Sequence, residues 1–294
     1  MSAARASDTG PVQLRAEIFS VARIGEYTHF TVIAAPIARR FRPGHFVAVA
    51  VGGDNTSMGL RRAFAIAGAT PSDDYAGTVT FVVATHGPGT QWLVRRAAGE
   101  VLDIVGPLGT PFPLPSGPAG AVLVGGGYGT APLLPLAQAL QANGSAVEFV
   151  LGAATAARLY GEVAAKRTGA PVTVTTDDGT AGQQGVVTDV LRDAIARVNA
   201  EVVYACGPMG MLRAVGAVAR ERAIHAQVAV EESMACGIGV CMTCVLPVRQ
   251  PDGTSRFVRS CVEGPVFDAF DVRWDDVGRL PPDLVGADAM GGGH

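Results

Sequence analysis

Four of the five cysteines fall within one short stretch near the end of the chain. They are Cys236, Cys241, Cys244 and Cys261, in the pattern C-x4-C-x2-C-x16-C. The first three have the spacing of a plant-type [2Fe–2S] loop, in which a fourth thiolate arrives from a later segment. Gly237 and Gly239 suit such a loop, because residues without a Cβ let the backbone pass close to bulky bridging sulfides. We therefore expect the four cysteines to bind a [2Fe–2S] cluster.

Two other interpretations of the cysteines are weaker. A structural zinc site more often has two C-x2-C pairs with a long spacer, and only one pair here has that spacing. Disulfides are disfavoured because residues 1–11 are polar and Ala-rich, without the apolar segment of a secretory signal. On that ground we expect a cytoplasmic protein with reduced thiols. Zinc remains the alternative occupant of the site.

A glycine-rich segment follows the apolar run Ala121–Val124 and reads Gly-Gly-Gly-Tyr-Gly-Thr-Ala-Pro over residues 125–132. It predicts a strand, a turn and a helix start, where free backbone N–H groups bind pyrophosphate. Pro132 suits the first turn of that helix. The G-x-G-x-x-G pattern is absent, so close packing remains an alternative to nucleotide binding. The expected nucleotide-binding residues are Gly125, Gly126, Gly127, Gly129 and Thr130.

Two more strand ends carry candidate residues. Cys206, Gly207 and Pro208 follow an apolar strand and precede a helix. Because ligands of open parallel sheets bind beyond the carboxyl ends of the strands, we expect these residues beside a nicotinamide ring. An ordinary buried cysteine is the alternative for Cys206. Asp177 ends another strand, where its carboxylate faces ribose hydroxyls or serves as a turn residue.

An arginine pair, Arg61 and Arg62, opens a strand in the first part of the chain. Further on, the residues from Gly87 to Thr90 read Gly-Pro-Gly-Thr and open a predicted helix. Together these two features favour a diphosphate clamp over a solvated surface arginine.

Composition limits the function classes. The chain has 294 residues and a net charge of −3, which excludes the broad basic surface of a nucleic-acid-binding protein. Between Asp103 and Glu148 no residue is charged, but seven prolines interrupt this stretch, so we expect no membrane span. Glycine is abundant, with 38 residues, against a usual share of ~7%.

Three zones of different pattern position these residues. In residues 1–116, short strands with Gly/Pro turns predict a small antiparallel barrel; they are Phe46–Val51, Val79–Val83 and Val101–Val105, with one helix over Thr90–Ala98. In residues 117–226, apolar strands alternate with helices, which predicts a parallel sheet covered on both faces. Its further strands are Val147–Leu151, Val172–Thr175 and Val202–Ala205, and its helices are one ending near Ala142, Val187–Val198 and Met209–Arg222. Residues 227–294 are turn-rich and too few for a large core, so they need a metal or a neighbouring domain.

The quoted motifs follow one another along residues 20–270 in the same order as in the ferredoxin–NADP reductase superfamily, which the chain resembles. Within it they are most similar to the family of electron-transfer subunits of class B dihydroorotate dehydrogenases. The most specific matches are residues 231–244, Glu-Glu-Ser-Met-Ala-Cys-Gly-Ile-Gly-Val-Cys-Met-Thr-Cys, and residues 261–267, Cys-Val-Glu-Gly-Pro-Val-Phe. The resemblance implies a β-barrel that binds FAD, an α/β domain that binds NAD(H), and a small C-terminal [2Fe–2S] lobe. The FAD contacts it implies are Arg62, Ala63, Phe64, Ala65, Val83, Gly89 and Thr90.

One position departs from the family pattern. The family usually reads Arg-Pro-x-Ser where this chain has Arg-Ala-Phe-Ala over residues 62–65. The hydroxyl missing at Ala65 removes a hydrogen bond expected near the flavin ring, so we expect an altered flavin potential. Arg62 still matches the residue that clamps the FAD phosphate.

The resemblance implies an electron relay in a hetero-oligomer. Electrons would pass among FAD, the cluster and an FMN held by a separate catalytic subunit that oxidises dihydroorotate in pyrimidine biosynthesis, with NAD+ as acceptor. No catalytic side chain is assigned, because His29, His45, His86 and His225 are scattered and read as structural. Arg158, after the Val147–Leu151 strand, either meets the 2′-phosphate of NADP or is an ordinary surface residue.

Three rival functions remain open. A related flavin/iron–sulfur subunit of a sulfite reductase, hydrogenase or NADH–ferredoxin system shares the same plan. An oxygenase reductase usually has a longer spacer before the last cysteine than the 16 residues here. A non-enzymatic iron–sulfur or zinc sensor leaves the glycine turns and the arginine motif unexplained.

Overall fold

The computed structural model describes residues 10–53, 56–72 and 77–286. Residues 1–9, most of the polar N-terminal stretch, therefore lie outside the described residues. The first described region forms a closed six-stranded antiparallel barrel in the order β1-β2-β5-β4-β3-β6. Its strands are β1 (Val12–Ile24), β2 (Tyr27–Ile33), β3 (Phe46–Val49), β4 (Arg62–Thr70), β5 (Thr78–Ala84) and β6 (Val101–Leu108). The predicted barrel is confirmed.

Alternating side chains fill the barrel. Along β6 every second residue is buried, as expected for a strand with one face toward a core. Inside the barrel, the rings of Phe30 and Phe64 both stack on Phe81, with centroid distances of 5.5 and 5.3 Å. These contacts hold β4, which begins with Arg62 to Ala65, against β5 and β2.

Two short helices, α1 (Ala35–Ala38) and α2 (Pro88–Leu93), interrupt the barrel strands. The predicted span of α2, Thr90–Ala98, is wrong at both ends. Pro88 takes the first helical position, where its missing N–H costs nothing, so the helix starts earlier. The Thr90 hydroxyl accepts the N–H groups of His86 and Gly87 at 2.9 and 3.1 Å, which closes this end.

A seven-stranded sheet follows, in the order β10-β9-β8-β7-β11-β12-β15. Neighbouring strands are parallel except β12 and β15, which are antiparallel. Its strands are β7 (Gly120–Gly126), β8 (Ala146–Ala153), β9 (Val172–Thr176), β10 (Gln183–Gln184), β11 (Ala200–Cys206), β12 (His225–Ala229) and, after the hairpin described below, β15 (Val266–Asp268). Its helices are α3 (Leu133–Ala142), α4 (Glu162–Arg167), α5 (Val187–Arg197) and α6 (Met209–Glu221). The predicted parallel sheet is confirmed.

The C-terminal region forms a hairpin of β13 (Val245–Arg249) and β14 (Ser255–Arg259) and then returns to the sheet. Residue 227 lies inside β12, and β15 pairs with β12 in antiparallel fashion. This pairing covers the edge that β12 would otherwise leave open. The C-terminal region is thus joined to the sheet by backbone pairing as well as by its loop.

None of the helices in the described part of the chain has the length and apolar character of a membrane-spanning segment.

Candidate functional site

Two adjoining cavities lie between the barrel and the sheet. The first, here called the glycine-loop cavity, has a volume of about 850 Å³ and is lined by Gly126, Gly127, Asp177 and Pro208. The second, here called the barrel cavity, has a volume of about 730 Å³. Nine of the site residues predicted from the sequence line the barrel cavity: Arg62, Ala63, Phe64, Ala65, Gly89, Thr90, Gly129, Cys206 and Gly207. Both volumes fall in the range of cofactor pockets.

The structure corrects the assignment of Val83. Its side chain is fully buried among the residues of the barrel core. Because side chains alternate along β5, its neighbours Val82 and Ala84 line the barrel cavity instead. The side chains of this strand at the barrel cavity are therefore those of Val82 and Ala84.

The two arginines have different surroundings. Arg61 donates to the carboxylate and the carbonyl of Asp103 at 3.0 and 3.1 Å, which braces β4 against β6. Arg62 lines the barrel cavity, and among the described residues its side chain donates to the carbonyls of Leu60 and Arg61, at 2.8 and 3.2 Å. A Cβ on Gly89 would come within 2.9 Å of the Arg62 Nε, so glycine leaves the guanidinium room to lie there. Arg62 is thus the guanidinium at the cavity.

The glycine segment differs from the predicted strand-to-helix turn. A 3₁₀ turn over Gly127–Thr130 separates β7 from α3, and Pro132 stands at the helix N-cap. Thr130 is buried, and its hydroxyl donates to the Gly127 carbonyl at 3.0 Å. Gly125 packs against Thr130 with no room for a Cβ. Gly125 and Thr130 therefore shape the turn, while Gly126 and Gly127 line the glycine-loop cavity and Gly129 the barrel cavity.

Four residues line both cavities: Ala84, His86, Tyr128 and Glu231. The Tyr128 hydroxyl donates a short hydrogen bond to Glu231, and burial followed by this bond raises the pKa of Tyr128. The ring of Tyr128 also lies 5.9 Å from that of Tyr27 and 6.2 Å from that of His86. His86 therefore lies at both cavities, and its structural role stays a prediction. Tyr128 and Glu231 were not among the predicted site residues.

Cys206 lies at the end of β11 and lines the barrel cavity. Burial, and next the charge of Glu231, raise the pKa of its thiol to about 12. It therefore stays a neutral thiol. A Cβ on Gly129 would lie 2.5 Å from the Cys206 carbonyl oxygen, so the two strand-end turns touch through their backbones.

The two carboxylates after β9 have separate roles. Asp178 accepts hydrogen bonds from the N–H and the hydroxyl of Thr180, at 3.0 and 2.7 Å, and is a turn residue. Asp177 leaves its carboxylate exposed at the glycine-loop cavity. On the far side of that cavity, Arg158 lies with its Nε 3.7 Å from Glu26.

The four clustered cysteines form two contacting pairs. Cys236 and Cys241 are close enough for each to influence the pKa of the other, and Cys244 and Cys261 pack in one buried group. Cys241 is exposed, whereas Cys244 and Cys261 are buried. None of the five cysteines, all of them in described segments, forms a disulfide. Two thiol pairs fit a cluster of two irons, with one pair for each iron.

The loop that carries three of these cysteines is bent toward their sulfurs. Gly237, Gly239 and Met242 all have positive φ, at 72°, 81° and 58°. The N–H groups of Ile238 and Val240 point at the Cys236 sulfur, at 3.5 and 3.3 Å. Hydrogen bonds from the hydroxyl and N–H of Thr243 lower the pKa of Cys241 to about 6, which favours the thiolate that binds metal.

The residues present fit the three expected groups. Arg62 lies at the barrel cavity, where a guanidinium can bind a phosphate, and Asp177 lies at the glycine-loop cavity, where a carboxylate can accept hydroxyl groups. The paired thiols with N–H donors fit a [2Fe–2S] cluster. Phe46 joins two of these sites, because it lines the barrel cavity and packs in one buried group with Cys244 and Cys261.

Two segments match known families. Residues 231–273 match the iron-sulfur cluster binding domain of dihydroorotate dehydrogenase B, and residues 123–217 match the oxidoreductase NAD-binding domain. The chain is similar to the dihydroorotate dehydrogenase B (NAD(+)) electron transfer subunit of Bacillus caldolyticus, with 36% identity over 88% of this chain and 97% of the relative. The corresponding subunit of Shouchella clausii is 38% identical over 77% of this chain and 84% of the relative.

Solved structures give the same fold. An NADH-dependent reduced ferredoxin-NADP oxidoreductase, studied for flavin-based electron bifurcation, is 30% identical with a TM-score of 0.76. That match covers 94% of this chain and 95% of the other. The Amycolatopsis cytochrome P450 reductase is 26% identical with a TM-score of 0.57, over 74% of this chain and 70% of the other.

Proposed function

The chain belongs to the family of electron-transfer subunits of dihydroorotate dehydrogenase B (NAD(+)), and on that premise we propose that it carries electrons between an FMN-containing dihydroorotate dehydrogenase subunit and NAD+. It is an NAD-linked oxidoreductase subunit whose cofactors are FAD, a [2Fe–2S] cluster and NAD(H). The physiological reaction we assign is the oxidation of dihydroorotate in pyrimidine biosynthesis.

The order of the three sites carries this proposal. The glycine-loop cavity adjoins the barrel cavity along Tyr128 and Glu231. The barrel cavity in turn reaches the buried thiols Cys244 and Cys261 through Phe46. We assign the glycine-loop cavity to the nicotinamide, the barrel cavity to the flavin and the four cysteines to the cluster. Each of these sites adjoins the next. When bound, a flavin converts between the two-electron chemistry of a nicotinamide and the one-electron chemistry of a cluster.

The chain's own residues bind and orient these groups. We assign Arg62 to the FAD diphosphate, because both hydrogen bonds that its guanidinium makes to described residues come from Nη1, which leaves other donors for phosphate oxygens. Phe64 and Ala65 line the wall of the same cavity, and Ala65 offers no hydroxyl there. The altered flavin potential expected from Ala65 stays a prediction.

For the nucleotide, we assign Gly126 and Gly127 to close backbone approach and Asp177 to the ribose hydroxyls. Met211 and Pro208 pack against Gly126, where a Cβ would come within 2.8 Å of each. The site therefore has a narrow floor that only glycine permits. Two arginines, Arg23 and Arg158, line that cavity, and the Arg158 Nε lies 3.7 Å from Glu26. The assignment of NAD(H) rests on the NAD(+)-linked relatives.

An apolar surface surrounds the exposed ligand Cys241 and is here called the cluster face. It consists of Ile238, Val240, Met242 and Val262, whose side chains are 52%, 75%, 53% and 42% exposed. Hydrophobic groups this exposed are typical of a protein interface. We assign the cluster face to the FMN-containing catalytic subunit, because electron exchange requires that partner to approach the cluster. The assembly is then a hetero-oligomer.

We place this assembly in the cytoplasm. All five cysteines are free, and four of them must stay reduced to bind iron.

A second candidate function is supported by the likeness to the NADH-dependent reduced ferredoxin-NADP oxidoreductase, which covers 94% of this chain. In that case the partner would be another flavoprotein or a ferredoxin, with the same residues serving NADH, FAD and the cluster. The two candidates differ only in what docks on the cluster face.

Reconstitution distinguishes them. The chain is co-purified with a candidate FMN subunit, and dihydroorotate-dependent reduction of NAD+ is assayed. We expect activity in the complex and none with either subunit alone. A stable complex with both flavins and the cluster in place, but without that activity, contradicts the dihydroorotate assignment. Reduction of ferredoxin by NADH in the same preparation would then favour the second candidate.

A further inference from the structure

Arg259 joins the two segments that carry the cluster cysteines. It is the last residue of β14, two positions before Cys261. Its Nη1 donates to the carbonyl of Gly239 at 2.9 Å. Gly239 lies in the loop between Cys236 and Cys241, so one side chain connects the loop to the strand end of the fourth ligand.

Glu263 holds this guanidinium in place. It accepts from Nη2 and Nε of Arg259 at 2.7 and 3.3 Å, and also from the Arg259 backbone N–H at 3.0 Å. Both side chains are about two-thirds buried, at 34% exposure each. A planar guanidinium makes these contacts and the Gly239 contact at once, which an ammonium group does less well.

The loop has no slack at the point where Arg259 binds it. Gly239 has a φ of 81°, and a Cβ there would lie 2.5 Å from a methyl group of Val262. The Gly239 carbonyl is therefore fixed between Val262 on one side and Arg259 on the other. Displacing Arg259 frees the loop segment between Cys236 and Cys241.

The charge of Arg259 also acts on the thiols. Arg259 lies two positions before Cys261, and its guanidinium donates to the loop between Cys236 and Cys241, so its positive charge lies beside both segments that carry the cysteines. A cluster with four thiolate ligands becomes more negative when it gains an electron, so a nearby cation favours the reduced form. Glu263, beside the same guanidinium, opposes that effect with its own negative charge.

We propose that Arg259 is a positioning residue for the cluster, which locks the cysteine loop to the Cys261 segment and raises the reduction potential of the bound [2Fe–2S] group. Glu263 serves the lock but lowers the potential. This inference rests on the assignment of the four cysteines to a [2Fe–2S] cluster.

Arg259 and Glu263 have opposite charges but both hold the cysteine loop in place. Replacing each in turn therefore distinguishes the effect on loop position from the effect on the reduction potential. The full chain is reconstituted anaerobically as wild type, Arg259→Gln, Arg259→Lys and Glu263→Gln. Arg256→Gln is the matched control, because Arg256 lies on the same strand and is exposed. The measurements are the cluster midpoint potential by redox titration followed by electron paramagnetic resonance, and the rate of iron loss to a chelator.

We expect both Arg259→Gln and Glu263→Gln to lose iron roughly tenfold faster, the factor given by about 1.4 kcal/mol. Their potentials shift in opposite directions, downward for Arg259→Gln and upward for Glu263→Gln. Arg259→Lys keeps the potential near that of wild type but loses iron faster. Arg256→Gln behaves as wild type in both measurements.

If Arg259→Gln loses iron at the wild-type rate and its cluster has the wild-type potential, the inference is overturned. The proposed function is left intact by that result. If Arg259→Gln binds no cluster, the other two variants decide, since both must lose iron faster than the control. A wild-type protein that forms no [2Fe–2S] signal contradicts the proposed function itself and the inference with it.

Discussion

Tyr128 donates its phenolic hydroxyl to the carboxylate of Glu231, and both side chains line the two cavities where their walls meet. The two residues are 103 positions apart in the sequence. They therefore lie at the boundary of the two cavities, across which the proposed function brings a nicotinamide ring to a flavin ring.

Breaking this hydrogen bond should slow flavin reduction by NADH. Tyr128→Phe keeps the ring contacts with Tyr27 and His86 but removes the hydrogen bond that holds Tyr128 to Glu231 between the two cavities. Small misplacements of reacting groups lower reaction rates strongly. We expect the limiting rate in stopped-flow experiments to fall by roughly tenfold, with normal FAD content.

Tyr27→Phe is the matched control for this change. The Tyr27 hydroxyl donates to the Arg158 carbonyl at 2.8 Å and faces only the glycine-loop cavity. It should alter the dissociation constant for NADH and leave the limiting rate unchanged. An unchanged limiting rate in Tyr128→Phe would show that the boundary does not depend on this bond.

Loss of any one of the four clustered cysteines should abolish the cluster. Serine at position 236, 241, 244 or 261 removes a thiolate from one of the two pairs, and hard oxygen ligands replace thiolates poorly at iron–sulfur centres. Iron and acid-labile sulfide analysis should then fall to background. Cys206→Ser is the control, because Cys206 lies in the barrel cavity, and it should retain full iron. Iron loss in Cys206→Ser alone would contradict the assignment.

Arg62→Gln should weaken FAD binding. Hydrogen bonds to charged groups contribute about 1.5–3 kcal/mol, so the dissociation constant should rise by roughly tenfold to a hundredfold. Isothermal titration of the FAD-free protein measures this directly. Arg15→Gln, an exposed arginine on the same barrel, is the control. Equal FAD affinity in both variants would exclude Arg62 from the phosphate site.

His45 should make the fold less stable in acid. The side chain is 7% exposed, its Nδ1 accepts the Arg42 N–H at 3.0 Å, and burial followed by the Arg42 charge lowers its pKa to about 4. In the unfolded chain the pKa is about 6.5. As pH falls from about 6.5 toward 4, only the unfolded state takes up this proton, so up to about 3 kcal/mol of stability is lost.

His45→Asn keeps a hydrogen-bond acceptor and removes this titration. Urea unfolding at several pH values should give the variant a flatter dependence than wild type between pH 6.5 and 4. His225→Asn, on an exposed side chain, should follow the wild-type curve. Parallel curves for wild type and His45→Asn would contradict the role of His45.

Local patterns were enough to predict most of the sheet. The strands β7, β8, β9 and β11 are rich in apolar and β-branched residues, and the structure extends each predicted strand by only a few residues. Strand β1 was not predicted, because over its 13 residues only Ala16 and Ile18 are buried. Its place in the barrel comes from pairing with β2 and β6, which no local pattern encodes.

The site could be predicted where its functional residues lie close together in the sequence. The cysteine spacing, the glycine segment and the arginine motif all lie within short windows. Glu231, Phe46 and Val82 were missed because their roles depend on contacts between distant segments. Val83 was chosen over Val82 because sequence alone does not fix which face of β5 points inward.

The most direct test of the electron-transfer assignment is anaerobic titration of the purified chain, loaded with FAD and its cluster, with NADH. Visible absorption follows the flavin, and electron paramagnetic resonance follows the cluster. The adjoining cavities and the Phe46 contact predict that NADH reduces both groups, with the flavin responding first. A correctly loaded protein whose flavin and cluster both stay oxidised in excess NADH would contradict the account.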